Sequence, residues 1–244
     1  MHRTPLNPPL VLVAHGTRHP AGPRVVERIA AAAADRLATS VRAAYVDVIG
    51  PSVGEVLREI DGPAVVLPAF LAAGYHVRAD LPEQLGAERR RVLVTAPLGP
   101  APELAAAMRD RLAEAGWRPG RSVLFSAAGS ADPRARADAR RAADLLGGLL
   151  RQRLGPSYLT TAHPRTAEVA ATTAPEFLAP YLLAPGAFHR ELAALPGVAA
   201  RPIGDHPRLV DLVVHRYGDA VGGGVSAHRG RVVRAELMSG PSTR

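Results

Sequence analysis

The chain has 244 residues, 47% hydrophobic and 21% charged, a balance that fits a folded globular protein and excludes a disordered or fibrous one. All 30 basic residues are arginine and the net charge is +8, but they are scattered, and with only 4% aromatics there is no basic stripe with stacking side chains of the kind that binds nucleic acid. Cysteine is absent, which excludes disulfides, thiolate metal sites, iron–sulfur clusters and cysteine nucleophiles and leaves His, Asp and Glu as the only strong metal ligands.

Taken in chain order, short apolar runs alternate with helical patterns. A strand at Leu10 to Ala14 precedes a helix over Arg24 to Ala38, a strand at Ala43 to Val48, a helix over Val53 to Ile60 and a strand at Ala64 to Pro68. A helix near Glu83 to Arg89, the run Arg91 to Thr95 and a helix over Ala101 to Ala115 complete a four-stranded parallel α/β unit. The order then repeats: strand Ser122 to Ser126, helix Arg134 to Arg153, strand Ser157 to Thr161, helix Thr166 to Thr172, strands Tyr181 to Ala184 and Val198 to Ile203, and a helix Pro207 to Tyr217. Glu114 to Gly120 reads as the linker. The expected domains are 9–116 and 121–221, each burying its own core, followed by a flexible tail, 222–244, that opens on Gly222-Gly223-Gly224. Met1 to Pro9 has no apolar targeting core, and the longest apolar stretch, around Ala64 to Tyr75, is too short to span a bilayer. A cytoplasmic protein with neither membrane nor nucleic-acid partner is expected.

The repeat is informative because it is unequal. Val11-Leu12-Val13-Ala14-His15-Gly16-Thr17 recurs as Val123-Leu124-Phe125-Ser126-Ala127-Ala128-Gly129-Ser130, with one residue inserted, so His15 falls opposite Ala128. Phe70 to His76 recurs as Leu182 to Phe188, keeping the glycine (Gly74, Gly186) but replacing His76 by Phe188. Tyr45 to Pro51 recurs as Tyr158 to Pro164, setting Asp47 opposite Thr160. Parallel sheets carry their sites just beyond the carboxyl ends of the strands. His15, Asp47 and His76 follow the first, second and third strands, so they converge on one sheet edge, and all three are lost together in the second copy. Packing explains one such loss more easily than three. Two imidazoles and a carboxylate leave coordination positions open on a divalent metal, and a histidine can also accept a proton.

The strings Val13-Ala14-His15-Gly16-Thr17-Arg18 and Pro68-Ala69-Phe70-Leu71-Ala72-Ala73-Gly74-Tyr75-His76-Val77-Arg78-Ala79-Asp80-Leu81-Pro82, with the duplicated layout over residues 10 to 220, resemble the sirohydrochlorin chelatase family, the small class II cobalt- or iron-inserting chelatases. The resemblance implies two tandem chelatase-like, flavodoxin-like three-layer domains related by duplication, with a tetrapyrrole bound in the cleft between them. It implies that His15 and His76 face the macrocycle as metal-contacting and catalytic residues. The family's acid after the second strand is a Glu, and Asp47 stands at that place here. The divalent metal, Fe2+ or Co2+, would be a co-substrate for siroheme or cobalamin synthesis, and no organic cofactor is implied. Arginine forks suit the acetate and propionate groups of such a ring, with Arg18 and Arg78 nearest in sequence. Gly16, Thr17, Gly74 and Tyr75, which flank the histidines, complete the expected substrate-binding set, and Thr17 is also a candidate cap for the helix that follows. With both halves in one chain, the cleft is expected to be completed within a monomer.

Two other readings compete. Ala14-His15-Gly16-Thr17-Arg18-His19-Pro20 also resembles the histidine phosphatase signature, in which His15 would be phosphorylated, but Ala14 stands where that chemistry needs an arginine. A non-catalytic metal or tetrapyrrole carrier would use the same ligands. His19, His163, His206 and His215 have no support from the repeat, and His189, next to Phe188, could restore a ligand by a one-residue shift.

Overall fold

A computed structural model describes residues 7–74 and 80–227. In the first sheet β1 (Leu10–Ala14) is central, paired in parallel with β2 (Val41–Tyr45) on one side and β3 (Ala64–Pro68) on the other, with β4 (Val92–Val94) beyond β3. All five residues of β1 are buried, as expected of an inner parallel strand covered on both faces, which reads as an unbroken apolar run rather than an alternation. The helices of this half are α1 (Ala21–Leu37), α2 (Val53–Arg58), α3 (Leu81–Leu85) and α4 (Pro102–Glu114), with a 3-10 segment at Gly86–Arg91.

The second half repeats the plan with β5 (Val123–Ala127), α5 (Pro133–Leu150), β6 (Pro156–Tyr158), α6 (Thr166–Thr173), β7 (Phe177–Tyr181), α7 (Ala187–Ala193), β8 (Val198–Ala199) and α8 (Pro207–Ala227), in the strand order β6-β5-β7-β8. The two four-stranded parallel sheets are therefore the duplicated α/β architecture that the repeat predicted. Backbone details recur 113 positions apart: the left-handed Gly16 and Gly129, the left-handed Val48 and Thr161, and the cis Gly50-Pro51 and His163-Pro164 bonds (129 − 16, 161 − 48 and 164 − 51).

The cores differ from expectation. Each half was expected to bury its own, but the largest hydrophobic cluster joins both: it takes Leu10, Leu12 and Leu67 from the first sheet, Phe125 and Ala179 from the second, and residues of α1, α4, α5 and α8 between them. The helices that end the halves are exchanged. α8 lies against α1 and β3 of the first sheet, and α4 lies against α5 and β7 of the second. Leu104 and Leu112 of α4 and Leu209 and Val213 of α8 are fully buried there, each worth about 2 kcal/mol of removed apolar surface. The outer faces have smaller clusters of their own under α2 and α3 and under α6 and α7.

Other departures have local causes. The strand expected at Tyr181 to Ala184 is instead β7, ending at Tyr181; its Pro180 lies past Leu178, the last residue paired with β8, so the missing N–H costs no ladder bond on that side. Trp117, in the expected linker, is buried in the shared core and donates from Nε1 to the Arg121 carbonyl at 3.0 Å. α8 continues through Gly222-Gly223-Gly224 to Ala227, where a tail was expected: its first turns pack on α1 and α4, and helix propagation adds one backbone bond per residue. The rest of the expected tail, residues 228–244, lies outside the described residues.

Candidate functional site

His15 is the first residue past the end of β1, at the point where chain connections leave β1 in opposite directions towards β2 and β3, the usual place for a ligand crevice in such sheets. The parallel ladder runs on past the strand ends: Val46 N–H donates to the Ala14 carbonyl and Asp47 N–H to the His15 carbonyl, both at 3.0 Å. Asp47 and His15 are thus neighbours through their backbones. Gly16 turns away at φ 95°, and a Cβ there would sit 2.2 Å from the Asp47 carbonyl oxygen, so the turn that aims His15 accepts only glycine. The His15 side chain is exposed.

Two cavities meet at His15. One, of about 400 Å³, lies between the halves and is lined by His15, Phe70, Leu71 and Gly74 of the first and by Ala128, Tyr158 and Tyr181, among others, of the second. A smaller one, of about 210 Å³, is lined by His15, Gly16, Thr17, Tyr45 and Ala69 with Leu183 and Ala184. His15, Phe70, Leu71 and Leu183 border both, so the pair forms a mostly apolar slot with one imidazole on its wall. Burial, with the Glu27 carboxylate second, pushes the Tyr45 phenol up; burial likewise pushes the Tyr158 phenol up, partly offset by Arg140 and Arg136. Both phenols stay protonated near pH 7, and His15 is the one imidazole among the described lining residues.

The expected site residues divide three ways. His15, Gly16, Thr17 and Gly74 line the slot. Asp47 and Arg18 are exposed and line neither cavity; the Asp47 Oδ1 accepts from the Val48 N–H at 2.7 Å and so holds its own turn. Tyr75, His76 and Arg78 lie outside the described residues. Among the described residues no group of three or more His, Asp or Glu could hold a metal ion. Thr17 does not cap α1: its Oγ1 accepts from His19 N–H at 3.2 Å, and His19 Nδ1 in turn accepts from Ala21 N–H at the helix start. His189 lines neither cavity, and its Nε2 is bonded to the Ala200 carbonyl at 3.1 Å. Among the described residues no arginine borders either cavity to meet a phosphate beside His15, so the lining lends the phosphatase reading no support.

The second half also brings side chains that motif reading passed over. Arg136, beside the slot residue Ser130, donates from Nη1 to the Ala131 carbonyl at 3.0 Å. Tyr181 and Asp138 both bond to the segment after β3. Continuing the repeat into the helices would have flagged Asp138, which stands 113 positions after the apolar Val25 (138 − 25).

The CbiX family model matches residues 9–115 and again residues 122–220. A curated sirohydrochlorin cobaltochelatase of Methanothermobacter thermautotrophicus is 28% identical over 43% of this chain and 91% of its own length. SirB of Bacillus subtilis with Fe3+ is similar in structure, with a TM-score of 0.77 at 19% identity over 91% of this chain and 98% of that one. The sirohydrochlorin chelatase SirB of Bacillus subtilis subspecies spizizenii in complex with cobalt gives a TM-score of 0.76 at 18% identity over the same shares, 91% and 98%. At these identities the two solved structures bear on the fold.

Proposed function

The chain belongs to the CbiX family of sirohydrochlorin chelatases, and from that premise we propose that it inserts a divalent metal ion, Fe2+ or Co2+, into sirohydrochlorin in the slot beside His15. The observation that carries the reading is the place of His15: an exposed imidazole at the β1–β3 crevice, bordering both cavities between the halves. Apolar walls formed by Phe70, Leu71, Leu182 and Leu183 suit the flat face of a macrocycle. The acetate and propionate groups of the ring would remain at the edge of the slot, where Arg136, bonded to the carbonyls of Ser130 and Ala131, is the guanidinium fork at hand.

Insertion requires two pyrrole N–H protons to leave while the metal sheds water. His15 has the chemistry for both, a ring nitrogen to hold the incoming ion and the same nitrogen to take a proton once the ion has passed to the ring. His76, two positions after the slot residue Gly74 in sequence, is the proposed second ligand. Asp47 adds negative charge next to His15 while holding the Val48 turn. Siroheme and cobalamin synthesis both include the insertion of a metal into this ring, and either fits the site.

The test is anaerobic incubation of the purified chain with sirohydrochlorin and either Fe2+ or Co2+, following the absorbance change of metal insertion. A rate above the metal-alone control is expected with at least one ion. A rate equal to that control with both ions, alongside tight tetrapyrrole binding, would leave a carrier in place of an enzyme.

A further inference from the structure

The half that lost the histidines has gained two polar side chains aimed at the half that kept them. Tyr181, the last residue of β7, is 4% exposed, and its hydroxyl donates to the Leu71 carbonyl at 2.7 Å. Burial, and then the nearby Asp138 carboxylate, pushes this phenol far up, so the hydroxyl keeps its proton and stays a donor. Asp138, on α5, accepts the Ala73 N–H on Oδ2 at 2.8 Å. Gly99 closes the third side: its N–H donates to the Phe70 carbonyl at 2.9 Å, and a Cβ there would lie 2.2 Å from the Leu71 carbonyl oxygen and 2.3 Å from the Tyr181 hydroxyl. Phe70, Leu71 and Ala73 are therefore pinned from outside their own loop, the first two being residues of the slot wall.

Among the described residues the reciprocal contact is absent. In the first half the positions that match Tyr181 and Asp138 are Ala69 and Val25: Ala69 follows Pro68 opposite β1 as Tyr181 follows Pro180 opposite β5, and Val25 and Asp138 both stand 12 positions before the last residue of their helices (37 − 25, 150 − 138). Both of those residues are apolar and buried. A general packing need would be met alike on the two sides of a duplicated fold. A polar grip on one loop only, the loop that runs on to His76, is a functional asymmetry.

We propose that Asp138 and Tyr181 are positioning residues for the metal-insertion site, holding the 71–73 backbone of the first half so that the slot wall facing His15 keeps a fixed geometry. This rests on the chelatase reading. Neither side chain needs to touch the metal. They act through the backbone they hold, so their loss is felt in the chemical step more than in tetrapyrrole binding.

The experiment compares the full chain with Asp138→Ala, Asp138→Asn and Tyr181→Phe, measuring kcat and KM for sirohydrochlorin with Co2+ and, separately, amide hydrogen exchange at Ala73. Removing a charged acceptor from Ala73 is expected to lower kcat about tenfold and to speed exchange at Ala73 by a similar factor, with KM within about twofold. Tyr181→Phe, which keeps the ring, should lower kcat about fivefold. Asp138→Asn, whose amide oxygen still accepts, should recover to within about threefold of wild type. Wild-type kcat in Asp138→Ala and Tyr181→Phe, or an equal loss in Asp138→Ala and Asp138→Asn, would overturn the positioning role, as would unchanged exchange at Ala73. A wild-type chain with no insertion activity would overturn the chelatase reading instead, and faster exchange at Ala73 in Asp138→Ala would then still establish the grip.

Discussion

At the ends of β1 and β5 the same turn is built twice, with Gly16 and Gly129 left-handed and each pressed against the carbonyl of a residue from the next strand, Asp47 in one half and Thr160 in the other. The first turn presents His15 and the second presents Ala128. Backbone shape has outlasted chemistry in the second copy because the shape also serves packing: Thr160 N–H bonds the Ala128 carbonyl at 2.8 Å just as Asp47 N–H bonds that of His15. Yet the second copy is more than a remnant. It supplies one wall of the slot and, through Tyr181 and Asp138, holds part of the other.

The contrast is open to direct attack. His15→Ala and His76→Ala should each lower metal insertion by about 100-fold or more, the scale of a lost acid–base group, while His163→Ala and His189→Ala stay within about twofold; wild-type rates in the first pair would remove the active half from the account. Gly16→Ala and Gly129→Ala, by contrast, should both destabilise the fold by about 3 kcal/mol in denaturant melts, since each forces a Cβ into a carbonyl oxygen at positive φ. A large difference between them would mean that the two turns are not equivalent.

One histidine-linked acid sensitivity should sit at the start of α8. His206 Nδ1 accepts the Arg208 N–H at the start of α8, a cap for which the matching Ala101 of α4 has no counterpart. Burial, with Arg111 second, holds the imidazole below its ordinary 6.5, while Asp110 and Glu114 work in the opposite sense and Arg208 adds to the depression. Between the folded and unfolded values the unfolded chain binds the extra proton, so stability is complete above pH 6.5 and declines as pH falls below it. Loss of a cap worth about 1 kcal/mol corresponds to a Tm drop of about 3 °C; His206→Asn, which keeps an acceptor, should flatten the melting profile between pH 7.5 and 5. The smallest effect is expected at Asp47→Glu, with insertion within about threefold of wild type because the charge moves by one methylene only. A strong loss would show that the shorter acid and its bond to Val48 N–H set the site.

The duplication, the parallel sheets and the place of His15 were legible because each depends on local pattern: unbroken apolar runs for inner strands, then a polar residue and a glycine where the strand ends. Asp47 was legible as a neighbour of His15, but not as a side chain bonded to its own turn, since an Asx bond and an open carboxylate have the same residues. β7 was misplaced because Pro180 looks like a strand breaker unless the length of its neighbour β8 is known. The exchange of α4 and α8 left no trace in the pattern, as an amphipathic helix carries the same stripe whichever sheet it covers. Asp138, on an arginine-rich helix, has the look of a solvated charge.

That exchange has a consequence for how the protein comes into being. The first sheet, with His15 at its edge, is finished by α8, the final described helix, whose Tyr217 hydroxyl reaches back to the Pro8 carbonyl at 2.8 Å. During synthesis the inner face of β1 and β3 is therefore left partly uncovered until residues from Pro207 onward have emerged from the ribosome. The His15 turn is thus translated early while the sheet behind it is covered late, and a nascent chain stalled or clipped before α8 would carry that turn on an open, aggregation-prone sheet.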